Sequence, residues 1–303
     1  MVAGADVAPI ILHLIGNTPL LEIRNLNKNK KVRIFAKLEG MNPSGSVKDR
    51  AALFMVLDAE RDGRLTHEKI ILEATSGNTG IALAMIAASR GYKMTAVMSE
   101  NASIERRQMM EALGARIILT PGEKGTDGAI LKAHELMREH PELYFMPNQF
   151  DNPSNVRAHY ETTAKEILEQ TNGKIDVFVA GMGTTGTLMG CAKRFKEYNK
   201  KIKIVGVEPM ENHCIQGLKN MNDSMKPKIY NPEMIDMKTY VTDDEAFQTT
   251  RTLASKEGIF AGMSSGAAMF AALQLAEHMK TGTIVVILPD RGERYLSTNL
   301  FGE

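Results

Sequence analysis

The sequence predicts an α/β protein of two domains, each with a mostly parallel sheet flanked by helices, and three observations predict it. Helical segments alternate with short apolar strands along most of the 303 residues, a pattern that makes parallel sheets joined by crossover helices. Helices stop at glycines, as at Gly91 and Gly114, and a strand follows directly. Near mid-chain, Pro147-Asn148-Gln149-Phe150-Asp151-Asn152-Pro153 breaks the alternation with two prolines and polar residues, the composition of a domain border.

Taken in order, Ile15-Gly16-Asn17-Thr18-Pro19-Leu20 is a turn into a short strand at 21–23. Residues 32–38 alternate with strand period, so these two strands are expected to pair. Asn42-Pro43-Ser44-Gly45-Ser46-Val47-Lys48-Asp49-Arg50 is a tight turn punctuated by Pro43 and Gly45. Ser46 is the expected N-cap of a helix running from Lys48 to Arg61. Asp62-Gly63-Arg64 ends that helix, and 69–74 is an apolar strand. The alternation then runs helix 81–90, strand 94–98, helix 103–113, strand 116–119, helix 127–139, strand 143–146 and helix 155–170. Strand 175–180, helix 187–198 and strand 203–207 continue it. Residues 213–237 are irregular, and helices at 243–257 and 266–280 and the apolar strand 283–288 follow.

A hydrophobic content of 43% is enough to bury a sizeable core. Net charge is +1 with scattered basic residues, which leaves no electrostatic footprint for nucleic acid or an anionic membrane and points to small molecules as partners. Residues 1–15 lack a basic region followed by an apolar core, and no apolar run reaches membrane-spanning length, so the expected location is cytoplasmic. Cys191 and Cys214 have no metal-ligand spacing and read as free thiols; the seven histidines form no evident metal set, and no metal is expected. Twenty methionines without a tryptophan are a core-packing choice.

Lys48 is the catalytic candidate. A lysine in the first helical turn opposes the helix dipole, whose positive end favours the neutral, nucleophilic amine. Alone it reads more readily as a solvated lysine at a helix start, and only partners elsewhere in the chain overturn that. Three small-residue loops, 75–80, 181–187 and 262–266, are all expected to leave strand ends, where ligands bind in open parallel sheets. Each is a candidate anion cradle, because glycine-rich turns expose N–H groups, hydroxyls add donors, and the next helix N-terminus favours negative charge. Gly181-Met182-Gly183-Thr184-Thr185-Gly186 also fits G-x-G-x-x-G, and Glu208 lies roughly twenty residues on, where the ribose-binding acid of an NAD-dependent dehydrogenase would sit. Against that rival, such a fingerprint belongs on the first strand of its own repeat, and here the series starts much earlier. No Gly-Lys-Ser/Thr follows a glycine loop, which excludes a P-loop.

The set Gly16-Asn17-Thr18-Pro19-Leu20, the 42–50 turn, loops 75–80, 183–187 and 262–266, Asn148-Gln149-Phe150 and Gly292-Glu293-Arg294-Tyr295-Leu296-Ser297-Thr298 resembles the cysteine synthase (O-acetylserine sulfhydrylase) family from end to end. Thr184-Thr185 with Pro289-Asp290-Arg291 is more similar to its type B branch. The resemblance implies the fold type II, tryptophan synthase β-like architecture of pyridoxal phosphate enzymes, usually a homodimer. It implies a smaller mobile domain at 41–152, with 1–40 and 153–303 forming a larger domain that includes the N-terminal crossover strands.

The same resemblance implies site roles. Lys48 would hold pyridoxal 5'-phosphate as a Schiff base and then act as the base at the substrate Cα. Gly183, Thr184, Thr185, Gly186 and Thr187 match the phosphate cup, Asn78 the contact to the cofactor's ring oxygen, and Ser264 the hydroxyl facing the pyridine nitrogen. Thr75, Ser76, Thr79 and Gln149 match the grip on the substrate α-carboxylate, with loop 75–80 and Gln149 expected on opposite sides of the cleft. Lys219 resembles a position where some type B relatives have an arginine associated with O-phosphoserine, keeping the charge without the planar fork. The implied activity is β-replacement on O-acetyl-L-serine with sulfide, or another donor such as thiosulfate, giving L-cysteine through a bound aminoacrylate. O-phosphoserine sulfhydrylase and cystathionine β-synthase are the alternatives within that chemistry. A cofactor-free scaffold on this fold would lack Lys48 or the phosphate loop, and both are present. The physiological donor, the leaving group and binding to a serine acetyltransferase stay open at this point.

Overall fold

The computed structural model describes residues 10–75, 77–222 and 225–302. Its elements in chain order are α1 (Ile10–His13), β1 (Leu20–Ile23), β2 (Val32–Leu38), α2 (Lys48–Arg61), β3 (Ile70–Ala74), α3 (Asn78–Arg90), β4 (Lys93–Ser99), α4 (Ile104–Ala112) and β5 (Arg116–Thr120). Then come α5 (Gly125–Glu139), β6 (Tyr144–Phe145), α6 (Pro153–Ala158), a π-helical turn (His159–Thr163), α7 (Ala164–Gln170), β7 (Val177–Gly181), α8 (Gly186–Tyr198) and β8 (Lys203–Pro209). The series ends with β9 (Met237–Val241), α9 (Asp243–Thr252), a second π turn (Leu253–Glu257), α10 (Met263–His278) and β10 (Gly282–Leu288).

Two sheets result. One has six strands in the order β1-β2-β10-β7-β8-β9, the other four in the order β5-β4-β3-β6. Among these pairings only β1 with β2 is antiparallel. The apolar run of β10 occupies the middle of the larger sheet, where both faces are covered. Val177, Val179, Ile284 and Val286 pack with α9 and α10 residues such as Phe247 and Ala268. Their neighbours Phe178, Ala180, Val285 and Ile287 pack on the other face with Leu188, Ala192 and Phe195 of α8, as strand period 2 requires. Each such buried Val or Ile contributes about 1.5–3 kcal/mol. In the smaller sheet Ile71, Ala96 and Met98 face α3, and Leu72, Ala74 and Val97 face Ala129 and Ala133 of α5.

A buried ion network anchors the start of α2. Arg50 forks onto Glu39 (Nε to Oε2 2.7 Å, Nη2 to Oε1 2.8 Å) and onto Glu166 (2.6 and 2.8 Å). Lys37 donates to Glu166 at 2.7 Å and to the Thr18 carbonyl at 2.7 Å. Burial opposes ionisation of Glu166, but hydrogen bonds and charge from Arg50 and Lys37 pull its carboxyl down to about 2. Removing one partner of such a cluster costs about 3–5 kcal/mol, because the remaining charge stays buried.

The structure departs from the sequence reading in particular places. β9 starts at the last residue of the stretch read as irregular and occupies positions to which no element was assigned: it is an edge strand with mostly exposed or half-buried residues, so its side chains give no apolar alternation. α3 and α10 each begin three residues earlier than expected, at Asn78 and Met263. The helix expected over 155–170 is broken by the π turn. Loop 262–266 does not leave a strand; it follows the α9 helix and its π turn, and only an isolated bridge from Ala261 to Arg291 precedes it. No helix among the described residues is long and apolar enough to cross a membrane.

Candidate active site

Lys48 is the first residue of α2, and the turn before it is locked. The Ser44 N–H donates to Asp49 Oδ2 at 2.7 Å and the Ser44 hydroxyl to Asp49 Oδ1. Gly45 has φ 86°, and a Cβ there would collide with the Arg294 guanidinium, so glycine is required. The Ser46 hydroxyl accepts the Lys48 N–H at 3.2 Å, so the expected cap acts one residue ahead of Val47, the N-cap by helix boundary. The Val47 N–H donates to the Pro289 carbonyl at 2.8 Å, and Ser46 bridges to Asp290. The Lys48 amine has no hydrogen-bond or ion-pair partner among the described residues. Burial holds its pKa below the ordinary lysine value; the Asp290 charge opposes this and the Arg106 charge adds to it.

Asp290 is the hub of the cleft. It stands just past the carboxyl end of β10 and is 2% exposed. Its Oδ2 accepts from Asn78 Nδ2 at 2.6 Å and from the Tyr295 hydroxyl at 2.7 Å. Arg106 stacks over the Tyr295 ring at 4.6 Å, with its guanidinium 3.9 Å from Asp290. Arg294 donates to Asn78 Oδ1 at 2.7 Å and to the Ser44 carbonyl at 3.0 Å. The Gly262 N–H donates to the Asp290 carbonyl at 3.3 Å. One strand end thereby gathers the Lys48 turn, Asn78 at the head of α3, and Ser264, buried in the first turn of α10.

Loop 181–187 passes from β7 into α8. Thr185, its N-cap, has φ 68°, and its buried hydroxyl has no partner. Gly183 admits no side chain, since a Cβ would run into the Gly217 carbonyl, and a Cβ on Gly217 would in turn lie 3.9 Å from the Ser264 hydroxyl. The loop is braced from behind. Asn155 Nδ2 donates to Thr184 Oγ1 at 3.1 Å and to the Gln149 carbonyl at 2.8 Å. Thr187 Oγ1 meets His159 Nε2 at 3.2 Å, and His159 Nδ1 meets Thr163 Oγ1 at 2.9 Å. Burial, with the Arg50 charge behind it, pushes the His159 pKa down to about 3, so the imidazole is neutral.

Loop 75–80 is organised by Thr75, whose hydroxyl accepts the N–H groups of Gly77 and Gly80, both at 3.0 Å. Ser76, also expected here, lies outside the described residues. The Thr79 hydroxyl donates to Gln149 Oε1 at 2.6 Å, and Gln149 Nε2 donates to the Ala74 carbonyl at 3.2 Å. Gln149 therefore lies on the same side of the cleft as this loop, not opposite it, because β6 sits beside β3 in the sheet. Lys219 is not a solvated loop lysine. Its amine pairs with Asp127 of α5 at 3.4 Å and lies 5.2 Å over the Phe150 ring, leaving the side chain 13% exposed. Glu208, the dinucleotide-reading acid of the rival proposal, is fully buried and taken up by the Met221 N–H and by Lys238.

Compared with known proteins, the family model described as pyridoxal-phosphate dependent enzyme matches residues 11–290. The chain belongs to the pyridoxal-phosphate dependent enzyme family. The cysteine synthase of Aquifex aeolicus is 46% identical over 301 residues, 97% of this chain and 92% of that protein. Cysteine synthase B of Salmonella typhimurium is 46% identical over 289 residues, 95% of each chain. The crystal structure of cysteine synthase (OASS) from Entamoeba histolytica superposes with a TM-score of 0.91 at 42% identity, covering 99% of this chain and 94% of that one. Membership removes the dehydrogenase reading.

The cofactor of this pyridoxal-phosphate dependent enzyme is pyridoxal 5'-phosphate, and the residues present fit it. An unpartnered buried hydroxyl on Thr185, a helix N-terminus behind it and a glycine that admits no Cβ make a cradle for a phosphate. The unpartnered Lys48 amine, with its depressed pKa, suits covalent attachment of an aldehyde. Asp290, Arg106, Asn155 and His159 were not singled out as site residues from the sequence. The strand-end rule points at Asp290, which follows the most apolar strand. No spacing signal marks the other three.

Proposed function

We propose that this enzyme catalyses β-replacement on O-acetyl-L-serine, in which sulfide takes the place of acetate at Cβ to give L-cysteine and acetate. The observation that carries this is Lys48, a half-buried lysine with lowered pKa and no protein partner among the described residues, at a locked helix start beside the phosphate-type loop. Gly183, Thr184, Thr185, Gly186 and Thr187 would hold the cofactor phosphate, Asn78 its ring oxygen, and Ser264 its ring nitrogen. When bound, the cofactor supplies the electron sink for chemistry at the substrate Cα. Lys48 anchors it and, once freed by the substrate amine, takes the Cα proton on its Nζ. A hydroxyl at Ser264, unlike a carboxylate, does not enforce protonation of the ring nitrogen, which suits elimination over transamination.

Thr75, Ser76, Thr79 and Gln149 take the substrate α-carboxylate in this reading. Residues 41–152 form a small domain that closes over the substrate and excludes water. Contacts spanning the two parts include Arg106 with Gln216, Lys219 with Asp127, and Glu105 with Ser297 at 2.7 Å. Because Lys219 is already paired, O-acetylserine is favoured over O-phosphoserine, whose phosphate would have to displace Asp127. The enzyme works as a cytoplasmic homodimer, for which light scattering is the check; two free thiols and exposed apolar side chains such as Leu14 and Met41 support it.

The test is a steady-state panel with O-acetylserine, O-phosphoserine and L-serine as amino-acid substrates, and sulfide, thiosulfate and homocysteine as nucleophiles. O-acetylserine with a small sulfur donor is expected to give the highest kcat/KM. A preference for homocysteine would make it a cystathionine synthase, and absence of β-replacement with every pair would overturn the reading.

A further inference from the structure

Glu73 is a buried carboxyl group that none of these roles uses. It is the next-to-last residue of β3 and 1% exposed, between Leu72 and Ala74 and paired in register with Ala96 of β4. Among the described residues no cation pairs with it, and burial pushes its carboxyl up to about 8. A buried carboxyl group with no counter-ion is destabilising whether it ionises or keeps its proton, and an apolar side chain of similar volume would pack there without that penalty.

What Glu73 holds is backbone. Its Oε2 accepts the N–H of Asn148 at 2.8 Å and its Oε1 the N–H of Gln149 at 3.2 Å. Asn148 has φ 52°, a left-handed conformation that a residue with a side chain keeps only where its surroundings impose it. The turn made there lays the Gln149 side chain back against β3 and α3. Its Oε1 is fixed by the Thr79 hydroxyl and one amide hydrogen by the Ala74 carbonyl. Glu73 also draws a hydrogen bond from the Gln149 side chain, so it holds both the backbone and the amide of this residue in place.

We propose that Glu73 is a positioning residue for the substrate α-carboxylate, a clamp on the 148–149 segment that fixes where the Gln149 amide meets the ligand. This rests on the reading of Gln149 and loop 75–80 as the α-carboxylate site. Glu73→Gln turns an NH2 toward one of the two N–H groups it must accept, and Glu73→Asp withdraws the carboxylate by about 1.5 Å, one C–C bond. Both release the turn while leaving Gln149, Thr79 and Lys48 in the chain.

The experiment compares two ligands that differ only in the carboxylate, L-serine and 2-aminoethanol, by calorimetry on the cofactor-loaded enzyme. Wild type, Glu73→Gln, Glu73→Asp and Gln149→Ala are measured, with circular dichroism to certify the fold. Glu73→Gln is expected to weaken L-serine about tenfold to a hundredfold, as loss of a hydrogen bond to a charged ligand does, and to change 2-aminoethanol less than about threefold. Glu73→Asp tests the same loss should the glutamine variant not fold. If Gln149→Ala loses the preference for L-serine while a folded Glu73 variant keeps it, Glu73 does not position the amide. If Gln149→Ala also keeps the preference, the carboxylate-site reading itself fails, and the clamp with it.

Discussion

Removing the Thr185 hydroxyl should push the protein in opposite directions with and without cofactor. This hydroxyl is buried and unpartnered in the protein alone, which costs about 1–3 kcal/mol on the scale for unsatisfied polar groups. Its backbone at φ 68° adds the strain of a left-handed residue with a side chain, about 1–2 kcal/mol. Thr185→Ala relieves the first, so the cofactor-free protein should be unchanged or more stable by about 1 kcal/mol, where a typical substitution destabilises by that amount. In the loaded enzyme the same hydroxyl would donate to a phosphate, a bond to a charged group worth about 1.5–3 kcal/mol. Apparent cofactor affinity should therefore fall about tenfold to a hundredfold. Urea unfolding of both forms and a fluorescence titration of cofactor give the two numbers, and Thr185→Ser should restore the affinity. Equal destabilisation of both forms with unchanged affinity would show that Thr185 is only a helix cap and would refute the reasoning.

Lys48→Ala should abolish turnover and the covalent link to the cofactor; borohydride reduction and peptide mapping check it, and a pyridoxyl label on another lysine of the wild type would sink the assignment. Asp127→Ala frees the Lys219 amine and should raise kcat/KM for O-phosphoserine relative to O-acetylserine, most at low salt, whereas Lys219→Ala should lower it; parallel changes for the two substrates would remove Lys219 from the site. Glu166 titrates near 4.5 when unperturbed and at about 2 in the folded protein. Its contribution is thus present above pH 4.5 and lost as pH falls toward 2, and the acid limb of a urea-midpoint profile should flatten in Glu166→Gln.

Much of this architecture is legible because strands buried on both faces are plain apolar runs and their helices stop on glycines. β10 and α2 are cases where pattern and structure agree to within a residue. β9 was invisible for the converse reason: an exposed edge strand needs no apolar face. Loops 75–80 and 181–187 could be read from chain chemistry, since hydroxyls and glycines at a strand end have few other uses. Strand order could not. That β6 lies beside β3, and so brings Gln149 against Thr79, depends on which strand neighbours which, and local sequence does not encode it. Asn155 and His159 act only through residues distant in sequence, Thr184 and Thr187, so neither stands out along the chain.

The π turn at His159–Thr163 sets a rotational phase between two halves of one helical rod. Asn155 ahead of it and His159 at its first position face the 181–187 loop, and behind it Glu166 and Gln170 face Arg50 and Lys37. A π turn holds one residue more than an α turn, and each residue turns a helix by about 100°. Deleting a single residue from this segment would leave a longer, regular α-helix with better local geometry. It would also swing Glu166 about 100° away from Arg50, leaving a buried guanidinium short of a carboxylate and the helix that begins at Lys48 without half its anchor. In this chain a local irregularity serves as the timing offset between cofactor loop and catalytic helix, so indels here should be far more damaging than substitutions.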